Sequence, residues 1–176
     1  MKYFDELKRS MEYLSQNQKV IFLGQAVEYD GTAMTNTLKN IERNKLFEMP
    51  VAEELQMGVS IGLSLNGFIP VSIYPRWNFL LLATNQLINH LDKIESLSDG
   101  GYKPKVIIRT SIGSERPLNP QNQHIGDFTD AFKLMCKNID IIRLDNTEDI
   151  FNSYVFALNN NRSTLLIEYG DYYNEK

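Results

Sequence analysis

Glu53 is the residue placed best to do chemistry. It follows a short apolar stretch at 46–49 and a stop at Pro50, and it opens the glycine-punctuated apolar run Glu53–Leu65, which reads as a helix. An acid there meets the exposed N–H groups and the positive end of the helix dipole. Taken alone, Glu53, Glu54 and Gln56 read as ordinary first-turn acids and amide. A second candidate is His124, which follows Gln123 in a stretch, 111–126, with two prolines and no periodicity. A histidine there is suited to moving protons near neutrality, or is simply a solvated loop residue. Arg109-Thr110 and Gly113 lie where a strand gives way to that loop, a place where α/β sheets build sites. His90, beside Asn89, reads as an interface or surface residue. Two histidines and the lone Cys136 do not make a metal-ligand set.

The elements that must hold these groups follow from periodicity. Phe4, Leu7, Met11 and Leu14 define an opening helix, and 20–23 is a buried strand ending at Gly24. A polar helix is expected over 34–43, then a strand at 46–49, the helix from Glu53, and a strand at 70–74. A long helix is expected over 77–97, a strand at 105–110, and the loop 111–126. Phe128, Phe132 and Met135 mark a helix, 139–144 a strand, 150–158 a helix and 163–169 the last strand. Strands apolar on both faces and alternating with helices predict a three-layer α/β/α domain with a mostly parallel central sheet. The first turns of the 77–97 helix are apolar almost all round, which predicts burial on two sides, one of them by another subunit.

Read together, these segments resemble a known family. Pro50-Val51-Ala52-Glu53, Gly58, Gly62, Gly67-Phe68-Ile69-Pro70 and Asn78-Phe79 follow one another as in the pyrimidine-binding domain of thiamine diphosphate enzymes. The resemblance is greatest to the beta subunit of the decarboxylating component of 2-oxo acid dehydrogenase complexes (a transketolase-like arrangement). Asn85-Gln86-Leu87-Ile88-Asn89, Ile108-Arg109-Thr110 with Gly113, and Gln123-His124 continue it, while Gly24 and Tyr29-Asp30-Gly31 match upstream. It covers roughly residues 22–169.

The resemblance implies that Glu53 hydrogen-bonds N1′ of the cofactor's aminopyrimidine and so activates its C2 carbon, with Glu54 a solvated neighbour. It implies that Phe79 packs on the pyrimidine ring and that His124 acts catalytically on the adducts. Gln25, Tyr29 and Asp30 join Glu53 and Phe79 as cofactor-binding positions. Gln25 is a departure: the family carries an acid after the first-strand glycine, part of a polar tunnel between paired sites. Here the pair is Gly24-Gln25, and Glu28 is a nearby acid that could stand in. The family's Gly-Asp-Gly motif for the diphosphate has no match; Tyr169-Gly170-Asp171-Tyr172 lacks the second glycine.

The expectation is therefore a single pyrimidine-binding domain, 1–176, without the diphosphate-binding and C-terminal domains. It would bind thiamine diphosphate, with Mg2+ held by a diphosphate-binding, alpha-like partner chain in a heterodimer or heterotetramer. The reaction would be 2-oxo acid decarboxylation with acyl or aldehyde transfer, or ketose transfer. A non-catalytic binding or regulatory module that keeps the fold and the interface is the alternative. A flavodoxin-like nucleotide binder lacks a glycine-rich phosphate loop after the first strand.

Bulk composition agrees. Hydrophobic residues at 43% and charged residues at 23% are ordinary for a globular domain, and 176 residues suffice for one core. A net charge of −4, with basic residues scattered singly, offers no nucleic-acid footprint. The opening MKYFDELKRS does not read as a secretory leader, no apolar run is long enough to span a bilayer, and the single cysteine fits a cytoplasmic setting.

Overall fold

The structure is a computed structural model that describes residues 2–29, 32–113 and 119–173. Six parallel strands form its sheet: β1 (Val20–Gly24), β2 (Leu46–Glu48), β3 (Ile69–Ile73), β4 (Ile107–Ile112), β5 (Ile139–Arg143) and β6 (Ser163–Tyr169). Their order is β2-β1-β3-β4-β6-β5, and every pairing is parallel, so the expected mostly parallel sheet is entirely parallel. β1, β4 and β6 are buried almost throughout, which is why they read as continuous apolar runs rather than alternating ones.

One face is covered by α1 (Tyr3–Ser15) and α7 (Thr147–Asn159), whose Leu7, Met11, Ile150 and Tyr154 pack with Phe22, Val71 and Leu166. The other is covered by α3 (Glu53–Leu65), a helical segment beginning with α4 (Trp77–Leu80), and α6 (Thr129–Met135). Met57, Trp77, Leu87 and Phe132 fill that side against Ile108 and Leu165. The result is a three-layer α/β/α domain, as expected. No helix among the described residues is long and apolar enough to cross a membrane.

Two expected helices are corrected. The polar helix over 34–43 is only α2 (Ala33–Asn36); beyond it the Thr37 hydroxyl turns back onto the Met34 carbonyl at 2.6 Å. Such local side-chain bonds compete with helix propagation. The long helix over 77–97 is broken into α4, a 3₁₀ turn at Leu81–Ala83, a π-helix at Gln86–Leu91 and α5 (Ile94–Leu97). Its buried apolar residues are Trp77, Leu80, Ala83, Leu87 and Leu91, spaced by three and then by four. This spacing would fit one uniform helix equally well, and all five stay on the core side while the backbone changes from tighter to wider winding. Leu82, on the other side, is 58% exposed.

The chain crosses from β2 over β1 to β3, so strand order reverses beside β1. The carboxyl ends of β1 and β3 thus flank a topological switch point, where open α/β sheets form their binding crevice.

Candidate active site

Glu53 stands at that crevice. The link from β2 delivers it as the first residue of α3, where it is only 4% exposed while Glu54 is solvent-exposed. Its carboxylate Oε1 accepts a hydrogen bond from Gln25 Nε2 at 3.2 Å. Oε2 accepts no hydrogen bond from the described residues. Gln25 follows Gly24, the last residue of β1, and no larger residue fits there: a Cβ on Gly24 would lie 2.6 Å from the Ile73 carbonyl oxygen. That close approach is what draws the ends of β1 and β3 together under Glu53.

Residues that drew little notice in the sequence hold this corner. Gln56 is 1% exposed and donates from Nε2 to the Ile73 carbonyl at 2.9 Å and the Ser72 hydroxyl at 3.1 Å. Ser60 closes the same set, bonded to the Gln56 carbonyl at 2.8 Å and to the Ser72 hydroxyl at 3.0 Å. A buried side chain bonded across a helix and a strand end fixes the angle at which α3 starts. Tyr74, just past β3, donates its hydroxyl to the Glu53 carbonyl at 3.3 Å. Burial, with the Glu53 charge adding, holds the Tyr74 phenol above its ordinary pKa, so it stays a neutral donor. A polar residue at helical spacing after Glu53 was the only sequence signal for Gln56; Tyr74 had none beyond lying at a strand end.

Phe79 and His124 come together, although 45 positions separate them in the chain: their ring centroids are 5.1 Å apart and tilted by 39°. Trp77 anchors the short α4 by packing on Phe132 at 4.8 Å and edge-on to Phe128 at 6.3 Å, which leaves Phe79 on the side toward the loop. His124 Nδ1 is buried and without a hydrogen-bond partner among the described residues. A buried orphan nitrogen on an imidazole is a group waiting for a donor or acceptor.

Tyr29, Glu28 and Arg109 make their contacts elsewhere. Tyr29 is 66% exposed and makes no hydrogen bond to Glu53, and Asp30 lies outside the described residues. Glu28 pairs with Arg43 at 3.1 Å and makes no hydrogen bond to Gln25 or Glu53. Arg109 does not line the crevice. It is fully buried and grips Glu168 with two bonds, Nε to Oε1 at 2.7 Å and Nη2 to Oε2 at 3.0 Å. Thr37, Tyr154 and Tyr173 complete that network. A cavity of about 370 Å³ lies beyond the loop after β1, lined by Val27, Glu28, Leu38, Ile41 and Arg43 rather than by Glu53 or His124. Among the described residues there is no cluster of three or more His, Cys, Asp or Glu able to hold a metal ion.

No family model matches the chain. It is 23% identical over 160 residues to the mitochondrial pyruvate dehydrogenase E1 component subunit beta of Ascaris suum, covering 89% of this chain and 44% of that protein. It is 29% identical over 124 residues to the pyruvate dehydrogenase E1 component subunit beta of Gracilaria tenuistipitata var. liui, covering 68% and 38%. The chain thus spans under half the length of these curated relatives. A solved structure of a split-gene transketolase, described as an inactive beta4 tetramer, superimposes with a TM-score of 0.72 at 16% identity, covering 97% of this chain and 52% of that one. By sequence the chain is similar to pyruvate dehydrogenase E1 beta subunits, and by fold it is a three-layer, transketolase-like α/β/α domain.

Proposed function

We propose that this chain is the pyrimidine-binding subunit of a split thiamine diphosphate-dependent enzyme acting on 2-oxo acids or ketoses. The observation that carries the reading is Glu53: a buried carboxylate at the switch-point crevice, held at one oxygen by Gln25 and accepting no hydrogen bond at the other from the described residues. The likeness to E1 beta subunits supports the cofactor, since a carboxyl in that place is what an aminopyrimidine nitrogen requires.

When bound, thiamine diphosphate supplies a carbon nucleophile that adds to a carbonyl and stores the electron pair released there. Glu53 takes and returns a proton at its carboxylate, and its low exposure keeps water from competing for that oxygen. Gln25 sets the rotation of the carboxylate by donating to Oε1. Phe79 offers an apolar face for a flat ring, and His124 brings Nδ1 to the same side to move protons. The diphosphate and its Mg2+ are assigned to the partner chain.

A heteromeric assembly with an alpha-like, diphosphate-binding subunit fits the surface of α3. Val51, Leu55 and Leu65 are 82%, 50% and 40% exposed, and positions 58 and 62 between them are glycines with open space above them. An apolar stripe with two glycines suits close packing of another helix. The relatives named as E1 component subunits, and the transketolase named as a beta4 tetramer, are multi-chain proteins. We place the protein in the cytoplasm on its lone, buried Cys136.

The test is to capture the tagged chain from its native cells, identify the bound protein, and titrate the complex with thiamine diphosphate and Mg2+. A partner, cofactor binding, and a Glu53→Gln complex that binds cofactor but keeps under about a tenth of turnover are expected, the loss typical of a missing general acid–base group. Self-association without cofactor binding would instead favour the non-catalytic module.

A further inference from the structure

Glu48, the last residue of β2, is not among the groups that would touch a cofactor, yet its carboxylate is committed to one task. Oε1 accepts the Ala26 N–H at 2.6 Å, and Oε2 accepts those of Val27 at 2.8 Å and Glu28 at 3.0 Å. Three successive backbone N–H groups turned onto one carboxylate form a closed anion nest, filled by the chain's own acid. The nest requires an unusual backbone. Ala26 has φ of +54°, in the left-handed region that a residue with a Cβ adopts only when its surroundings insist. The Thr35 hydroxyl holds the Ala26 carbonyl from the other side.

Glu48 also belongs to the strand that delivers Glu53. It pairs with Gly24 across the sheet, and the next residue, Met49, donates its N–H to the Gly24 carbonyl at 2.8 Å. One residue therefore joins the loop carrying Gln25 to the link carrying Glu53. Nothing else among the described contacts ties residues 26–28 to that link. The 3.2 Å contact between Gln25 and Glu53 joins the turn after β1 to the start of α3; Met49, Gln56 and Tyr74 fix the strand ends and the helix, and Glu48 fixes the turn itself.

We infer that Glu48 is a positioning residue: it holds the strained turn after β1 so that the Gln25 amide meets the Glu53 carboxylate. Charge and reach are both needed. An amide in place of the carboxylate keeps one acceptor oxygen and turns an NH2 group toward N–H donors. An aspartate keeps the charge, but its oxygens sit one methylene short of the three N–H groups. The catalytic consequence rests on the proposed function; the placement does not.

The experiment uses the full chain, labelled with 15N, and needs no cofactor or partner. In the parent protein the Gln25 side-chain NH2 pair should resonate away from the solvent-exposed glutamines. Glu53→Ala should bring it among them, which assigns the shift to this contact. Glu48→Gln should do the same without altering either residue, and should raise amide exchange at 26–28 by about tenfold or more, the size of a lost charge-assisted bond. Glu48→Asp retains the charge and carries the test should the glutamine variant not fold; it should move the Gln25 signals in the same direction. Gln25 signals unmoved in a folded Glu48 variant would overturn the inference, even if residues 26–28 exchange faster. Absence of thiamine diphosphate binding would defeat the proposed function and leave this result standing.

Discussion

Replacing Arg109 by methionine should unfold the protein at much lower temperature rather than disable a site. The guanidinium and the Glu168 carboxylate are both fully buried and joined by two bonds, at 2.7 and 3.0 Å. Burial by itself would discourage the guanidinium charge, but the adjacent Glu168 and Tyr154 more than offset this and hold its pKa above the ordinary value. Without Arg109, Glu168 keeps hydroxyl donors from Tyr154 and Tyr173 but loses its counter-ion. Stranding one partner of a buried pair costs about 3–5 kcal/mol. At roughly 2–4 °C per kcal/mol for a domain of this size, the melting temperature should fall by about 6–20 °C. The assay is thermal and urea unfolding followed by circular dichroism at pH 7. Arg109→Met combined with Glu168→Leu should lose less than Arg109→Met alone, because no buried charge remains. A loss under about 1 kcal/mol, the size of an exposed pair, would refute the assignment of Arg109 to the core. So would a double variant less stable than the sum of its singles.

Gly24→Ala should destabilise by about 1–3 kcal/mol, the usual cost of overpacking, since its Cβ would meet the Ile73 carbonyl at 2.6 Å; urea unfolding reads this directly. The same variant should weaken cofactor capture by the assembled enzyme, because widening β1 from β3 moves Gln25 off Glu53. Burial, with the Asp92 charge adding, pushes the Cys136 thiol up to about 12 from an ordinary 9.0. The folded chain then keeps a proton that the unfolded chain releases above pH 9, so this contribution to stability is full below pH 9 and is lost as pH rises toward 12. At pH 8, iodoacetamide should label Cys136 only as fast as the protein opens, and labelling at the rate of a free cysteine would contradict the burial. Phe79→Ala should leave the unfolding free energy within about 1–2 kcal/mol of the parent, as for a half-buried ring, while weakening thiamine diphosphate binding several-fold in a calorimetric titration of the complex.

Much of the architecture was legible along the chain because burial leaves a local trace. A strand buried on both faces reads as a continuous apolar run, as in residues 20–23, and helices such as α1 and α7 show a core stripe. The order of elements, the three layers, and the position of Glu53 at the start of α3 were all accessible this way. What misled was length. The apolar spacing of Trp77, Leu80, Ala83, Leu87 and Leu91 is that of one regular helix, and it carries no trace of the 3₁₀ turn and the π-helix into which the segment divides.

The site itself divides the same way. That Glu53, Phe79 and His124 are the candidates for chemistry followed from their types and from the order of the motifs around them. That Gln25 reaches Glu53, that Phe79 meets His124, and that Arg109 turns inward to Glu168 follow only from which strands lie side by side and in what register. Residues 28, 45 or 59 positions apart carry no mutual signature in one sequence, because each pairing is a property of the packed sheet. Glu48 is the clearest case: as a residue type it is one more acid, and only the strained turn folded onto its carboxylate gives it a task.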